Sequence, residues 1–126
     1  MKKEIVLCVV IVLSIITGDI FLQNHTNNSL NKINEKLSVL RSEIKETDNF
    51  DMKKIEEIDN EWEESFEVLT CYLEHEELEK IKTQLVIISA GMELNDKEYV
   101  FEEIDRAIYI INHIETKQKL KLDNIL

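Results

Sequence analysis

The sequence predicts an all-α protein: an N-terminal transmembrane or signal-anchor helix, then an antiparallel bundle of about four helices. Three observations predict it. The chain has no proline and only two glycines, Gly18 and Gly91. It therefore lacks the residues that shape the many turns of β-sandwiches and barrels. An almost unbroken apolar run fills residues 5–22. Beyond residue 30, apolar residues recur at steps of three and four, the period of one helix face. A chain of 126 residues supports a single core.

The apolar run is interrupted only by Ser14, Thr17 and Asp19. As a helix its 18 residues rise about 27 Å, close to the roughly 30 Å of bilayer hydrocarbon. Lys2 and Lys3 precede it, which by the positive-inside rule puts the N-terminus in the cytoplasm and the rest outside. Signal peptidase needs small residues at −3 and −1. The two alanines, Ala90 and Ala107, are far away, and cutting after Gly18 would place Ile16 at −3. An uncleaved anchor at residues 1–22 is expected, with a secreted product as the alternative. Cys8 then lies in the membrane and Cys71 outside it, so the two cannot pair within one chain. Cys71 reads as a small buried hydrophobe.

Residues 23–29 form a polar stalk containing two N-x-[ST] sequons, at Asn24 and Asn27. A solvated linker and a polar helix continuing from the membrane both fit it. The bundle is expected over residues 30–116. Its first helix carries Leu30, Ile33, Leu37, Leu40 and Ile44, and Thr47, Asp48 and Asn49 end it. The second carries Ile55, Ile58, Trp62, Phe66, Leu69 and Leu73. The step from Leu73 to Leu78 spans five residues, so a turn is expected at residues 74–77. The third helix carries Leu78, Ile81, Leu85, Ile88 and Met92. Asn95 with Glu98 fits a capping box for the fourth, which carries Phe101, Ile104, Ile108 and Ile111. The first stripe shifted by 48 lands on the third, and Glu56–Asp59 shifted by 46 lands on Glu102–Asp105. Two repeated helical hairpins are thus a second description of the same bundle. In residues 117–126, lysines alternate with Gln118, Leu120 and Leu122, a period of two. That predicts a short extended tail packing on the bundle.

The basic start, the anchor, Trp62, the run His75-Glu76-Glu77-Leu78 and the ending Lys121-Leu122-Asp123-Asn124-Ile125-Leu126 resemble a family of small membrane-anchored proteins, domain of unknown function 4363. Similar chains come mainly from clostridial-type bacteria. The resemblance implies an anchored α-helical protein and brings no activity, cofactor or catalytic residue.

The formal charge of −11 makes nucleic acid a poor partner. Lys2, Lys3, Glu4 and Asp19 cancel, so the excess belongs to the outer domain. Residues 55–79 hold eleven acids and no lysine or arginine. Glu57, Glu61 and Glu64 are the candidate partner-contact residues on that face, and a solvated helix surface is the plain alternative. Two separated glycines cannot write a P-loop or a GxGxxG cradle, and no GxSxG or HExxH is present. Catalysis, cofactors and a firm metal site are therefore not expected. The weak metal candidates are Cys71, His75 and Glu79, spaced i, i+4, i+8, whose thiolate, imidazole and carboxylate would suit Zn²⁺ on an unbroken helix. Trp62 and Phe66 read as core, His75 as a turn residue and His113 as a C-terminal helix residue. The expected role is a membrane-anchored extracytoplasmic interaction, scaffold or sensor-type module with a protein partner or a second copy. A divalent-cation or zinc-binding protein is the alternative.

Overall fold

A computed structural model describes the backbone of residues 1–125 and the side chains of residues 1–120. It contains four helices: α1 Lys2–Thr47, α2 Met52–Leu69, α3 His75–Glu93 and α4 Lys97–Ile125. Short connections force each helix to turn back along its predecessor. Polar pairs between helices show the antiparallel sense. Along α1 and α4, Asn34 meets Asn112, Arg41 meets Asp105 and Asp48 meets Lys97, so one number rises as the other falls. Glu43 with Lys54 and Lys36 with Glu61 show the same for α1 and α2. Each helix packs on its chain neighbours and α4 closes the ring on α1.

The apolar stripes meet inside this ring. Leu30, Leu37, Trp62, Leu78, Leu85 and Ile104 are all at most 1% exposed. Burying one such side chain contributes about 1.5–3 kcal/mol, so the stripes are the main reason the helices associate. Trp62 lies fully in this core, and Phe66 packs against it half-buried. Gly91 lets α3 and α4 approach closely. A Cβ there would stand 2.8 Å from Tyr99 Cδ1 and 3.0 Å from Val100 Cγ2.

The turns depart from expectation in instructive ways. Two of the three interhelical turns place an Asx residue in the left-handed region, Asp48 at φ 54° and Asn95 at φ 53°. Asx side chains tolerate this conformation without glycine. Asn95 is therefore not the cap of α4. Asp96 is, its carboxylate accepting from the Tyr99 N–H at 3.2 Å. Asp51 caps α2 in the same way through the Lys53 N–H. The break between α2 and α3 comes earlier than residues 74–77, because α2 ends at Leu69. Leu73 is buried from within the turn, which satisfies the apolar stripe without further helix.

Residues 23–29 are no loose stalk. They form an uninterrupted part of α1, and Thr26 and Ser29 are buried against the bundle. The 3-4 register of α1 continues upstream from Leu30 onto the short polar side chains of Ser29 and Thr26, so this segment packs on the bundle itself. The expected extended tail is also corrected. α4 stays helical to Ile125, and Gln118 continues the buried stripe of Ile111 and Ile114. The expected packing of the Leu122, Ile125 and Leu126 side chains lies outside the described residues. His113 consequently sits well inside α4, stacked on Tyr109 at 6.3 Å, and not at its end.

The first half of α1 stands apart from the bundle. Residues 5–21 are exposed, with one bond at Asp19 to the bundle, Leu22 is half-buried, and α1 is a helix long and apolar enough to cross a membrane.

Candidate functional site

The acids of residues 55–79 do two kinds of work. Four of them tie α2 and α3 to neighbouring helices. Lys36 of α1 lies 2.5 Å from Glu61, and Lys82 of α3 lies 2.5 Å from Asp59 and 2.7 Å from Glu63. Lys117 of α4 donates to the buried Glu77 at 2.9 Å. The ammonium of Lys36 is held above its ordinary range by its hydrogen bond to Glu61, with the charges of Glu57 and Glu64 adding to it. At Lys82 burial opposes the charge, but hydrogen bonds to Asp59 and Glu63 outweigh it and raise the pKa.

Glu57, Glu61 and Glu64 thus converge around Lys36. Glu57 and Glu64 are exposed, while Glu61 is half-buried in its ion pair. The trio keeps a net negative charge, but Glu61 is occupied by the fold. Among the described residues, Glu56, Glu57, Glu64, Glu67, Glu74 and Glu76 make no ion pair, and all six are exposed.

A groove on the other side of α2 was not read from the sequence. It lies between α2 and α3 and encloses about 400 Å³. Its floor is Met52, Ile55, Leu85, Val86 and Ala90, and its acids are Glu56, Asp59 and Glu93. Val86 is 56% exposed, an uncovered apolar side chain beside three carboxylates. The signal was Val86 itself, which falls outside the stripe of Leu78, Ile81, Leu85 and Ile88.

The three metal candidates do not form one cluster, although His75 and Glu79 meet on α3. α2 ends before Cys71 and α3 begins at His75, so the three share no helix. His75 Nε2 lies 3.3 Å from Glu79 Oε1, and its ring meets Phe66 edge-on at 6.1 Å. Cys71 is exposed, contrary to the buried hydrophobe expected, because the chain has already left the helix there. Its thiol donates weakly to the Glu67 carbonyl at 3.8 Å. Among the described residues no group of three or more His, Cys, Asp or Glu side chains is arranged to hold a metal.

Neither a curated protein nor a solved structure matches the chain. Residues 20–125, which include the whole helical bundle and exclude most of the apolar run, match a family described as a domain of unknown function. On that match, and as the residue resemblance implied, the chain belongs to the domain of unknown function 4363 family.

Proposed function

We propose that this protein is a non-enzymatic interaction module, anchored in a bacterial cell membrane by residues 5–22, with its N-terminus cytoplasmic and its bundle outside. Its partner is a protein whose basic residues flank an apolar one. One observation carries the reading: the α2–α3 groove sets the exposed Val86 and an apolar floor beside Glu56, Asp59 and Glu93. An amphipathic basic segment laid there would bury the apolar strip and neutralise Glu56 and Glu93, Asp59 being already paired with Lys82. Of the acids without ion pairs, Glu56 lies in the groove itself, and Glu57, Glu64 and Glu67 carry further negative charge along α2. Lys2 and Lys3 support the orientation.

Site-specific photo-cross-linking in native membranes tests the proposal. A probe at Val86 or Ser89 should give a cross-linked partner, and one at Tyr109 on α4 should not. Glu56→Lys with Glu93→Lys should abolish the Val86 product. Monomer alone at every position and growth condition would refute it. An alkaline-carbonate wash tests the anchor separately, since release of full-length protein contradicts a spanning helix.

A further inference from the structure

The bundle end nearest the apolar run holds a second, different cavity. It is a cleft of about 340 Å³ between α1 and α4, bounded by the α2–α3 turn. Gln23, Thr26, Asn27 and Asn31 line it from α1, Tyr72 from the turn, and Glu115, Gln118 and Lys119 from α4. Every lining side chain is polar or amphipathic. Two of its buried atoms, Thr26 Oγ1 and Glu115 Oε1, have no hydrogen-bond partner. Thr26 is only 2% exposed. Buried polar atoms are nearly always paired, so a cleft holding an unpaired carboxylate oxygen and an unpaired hydroxyl oxygen, both able to accept, suits a donor. Burial pushes the Glu115 carboxyl above its ordinary range.

The position of the cleft is also defined. Leu22 ends the apolar run, and at 1.5 Å per residue Thr26 stands about 6 Å beyond it. The polar layer of a bilayer extends roughly 5–8 Å past the hydrocarbon on each side. The Tyr72 hydroxyl donates to the Asp19 carbonyl at 3.2 Å, which sets its ring beside the last turn of the apolar run, between that run and the cleft it lines. Tyrosine is a residue of that interface. If α1 crosses the membrane, the cleft opens among the headgroups.

We propose that this cleft binds a zwitterion made of a primary ammonium and a phosphate, the chemistry of an ethanolamine phospholipid headgroup. The inference rests on the membrane-anchored reading. The ammonium donates to Glu115 and Thr26, the two unsatisfied acceptors. The phosphate faces Lys119, one helical turn along α4 from Glu115, where side chains are about 5–6 Å apart. A two-carbon spacer between ammonium and phosphate suits that separation. The amides of Gln23, Asn27, Asn31 and Gln118 serve either end. A trimethylated choline headgroup has no N–H to give, and a glycerol headgroup has no cation.

Native mass spectrometry of the full chain, released from detergent containing equal phosphatidylethanolamine, phosphatidylcholine and phosphatidylglycerol, tests this. We expect one ethanolamine lipid retained with about tenfold preference over the others, as loss of a charge-assisted hydrogen bond implies. Glu115→Gln and Thr26→Val should each remove most of that preference. Soluble glycerophosphoethanolamine is the second probe. If it raises the melting temperature while the lipids are retained equally, the chemistry stands and the source is a free solute. Equal retention of all three lipids with no shift by the solute overturns the inference. Carbonate resistance is measured on the same variants. Resistant protein without any preference refutes the cleft alone, and released protein refutes the anchor and the lipid source together.

Discussion

Replacing Gln84 by leucine should destabilise the bundle more than most single changes. Gln84 on α3 and Glu103 on α4 are 6% and 5% exposed. The Gln84 amide donates to Glu103 Oε2 at 2.9 Å and to the Glu103 carbonyl at 3.2 Å. Leucine would remove both donors and leave a carboxylate inside the α3–α4 interface. Breaking a buried charged contact costs about 3–5 kcal/mol. Arg106 lies 3.9 Å from the other carboxylate oxygen and relieves part of this. A loss of about 2–3 kcal/mol is expected, or roughly 10–20 °C for a domain near 100 residues. The double variant Gln84→Leu with Glu103→Leu removes the charge as well as its partner. It should return to within about 1 kcal/mol of the parent. Denaturation of the full chain in detergent micelles, followed by fluorescence, measures both. Trp62 is the only tryptophan and is 1% exposed, so its emission reports the core alone. A Gln84→Leu protein that melts with the parent, or a double variant as weak as the single, would refute the argument.

Three further outcomes follow from the same packing. Asn28→Pro removes a helix hydrogen bond within α1 and should cost about 3 kcal/mol in a melt, because residues 23–29 are helical; a flexible stalk would show no change. Gly91→Ala gains about 1 kcal/mol of helix propensity and loses about 1–3 kcal/mol to its clash with Tyr99 and Val100, so urea titration should show a net loss. Glu115→Gln should raise the melting temperature at pH 7 and lose that advantage in acid. The folded-state pKa of Glu115 is raised by burial, so its contribution to stability is full below the unfolded pKa and is lost as pH rises through the folded one. An advantage that stays constant from pH 7 to pH 4 would contradict the burial.

The hydrophobic stripes were legible because apolar periodicity is the direct imprint of a helix on its core. Leu30 to Ile44, Ile55 to Leu69 and Leu78 to Met92 became buried faces as read. What periodicity of apolar residues cannot mark is a core position filled by a polar side chain. Thr26 and Gln118 occupy such positions at the same end of the bundle, and this is why the stalk and the tail looked like breaks. Carrying the 3-4 register past Leu30 and Ile114 onto polar residues would have found both, and with them two walls of the cleft. The acidic run was legible as composition but not as geometry. Whether a given glutamate meets a lysine depends on which helix lies beside it, and Lys36, Lys82 and Lys117 are remote in sequence. Cys71 was misplaced by the same limit, since one early helix ending turns a buried position outward.

The continuity of α1 has a mechanical consequence. A domain on a flexible linker forgets how the helix before it is oriented, and this bundle does not, because residues 5–22 and the bundle share α1. From Leu22 to Thr47 the helix extends about 38 Å at 1.5 Å per residue. Helices in bilayers tilt by about 20° on average and adjust that tilt to hydrocarbon thickness. If residues 5–22 span the membrane, a change of about 20° in their tilt would swing the far turns of the bundle sideways by roughly 13 Å. The thickness of the surrounding lipid would then set the reach and heading of the acidic groove, with α1 as the lever arm.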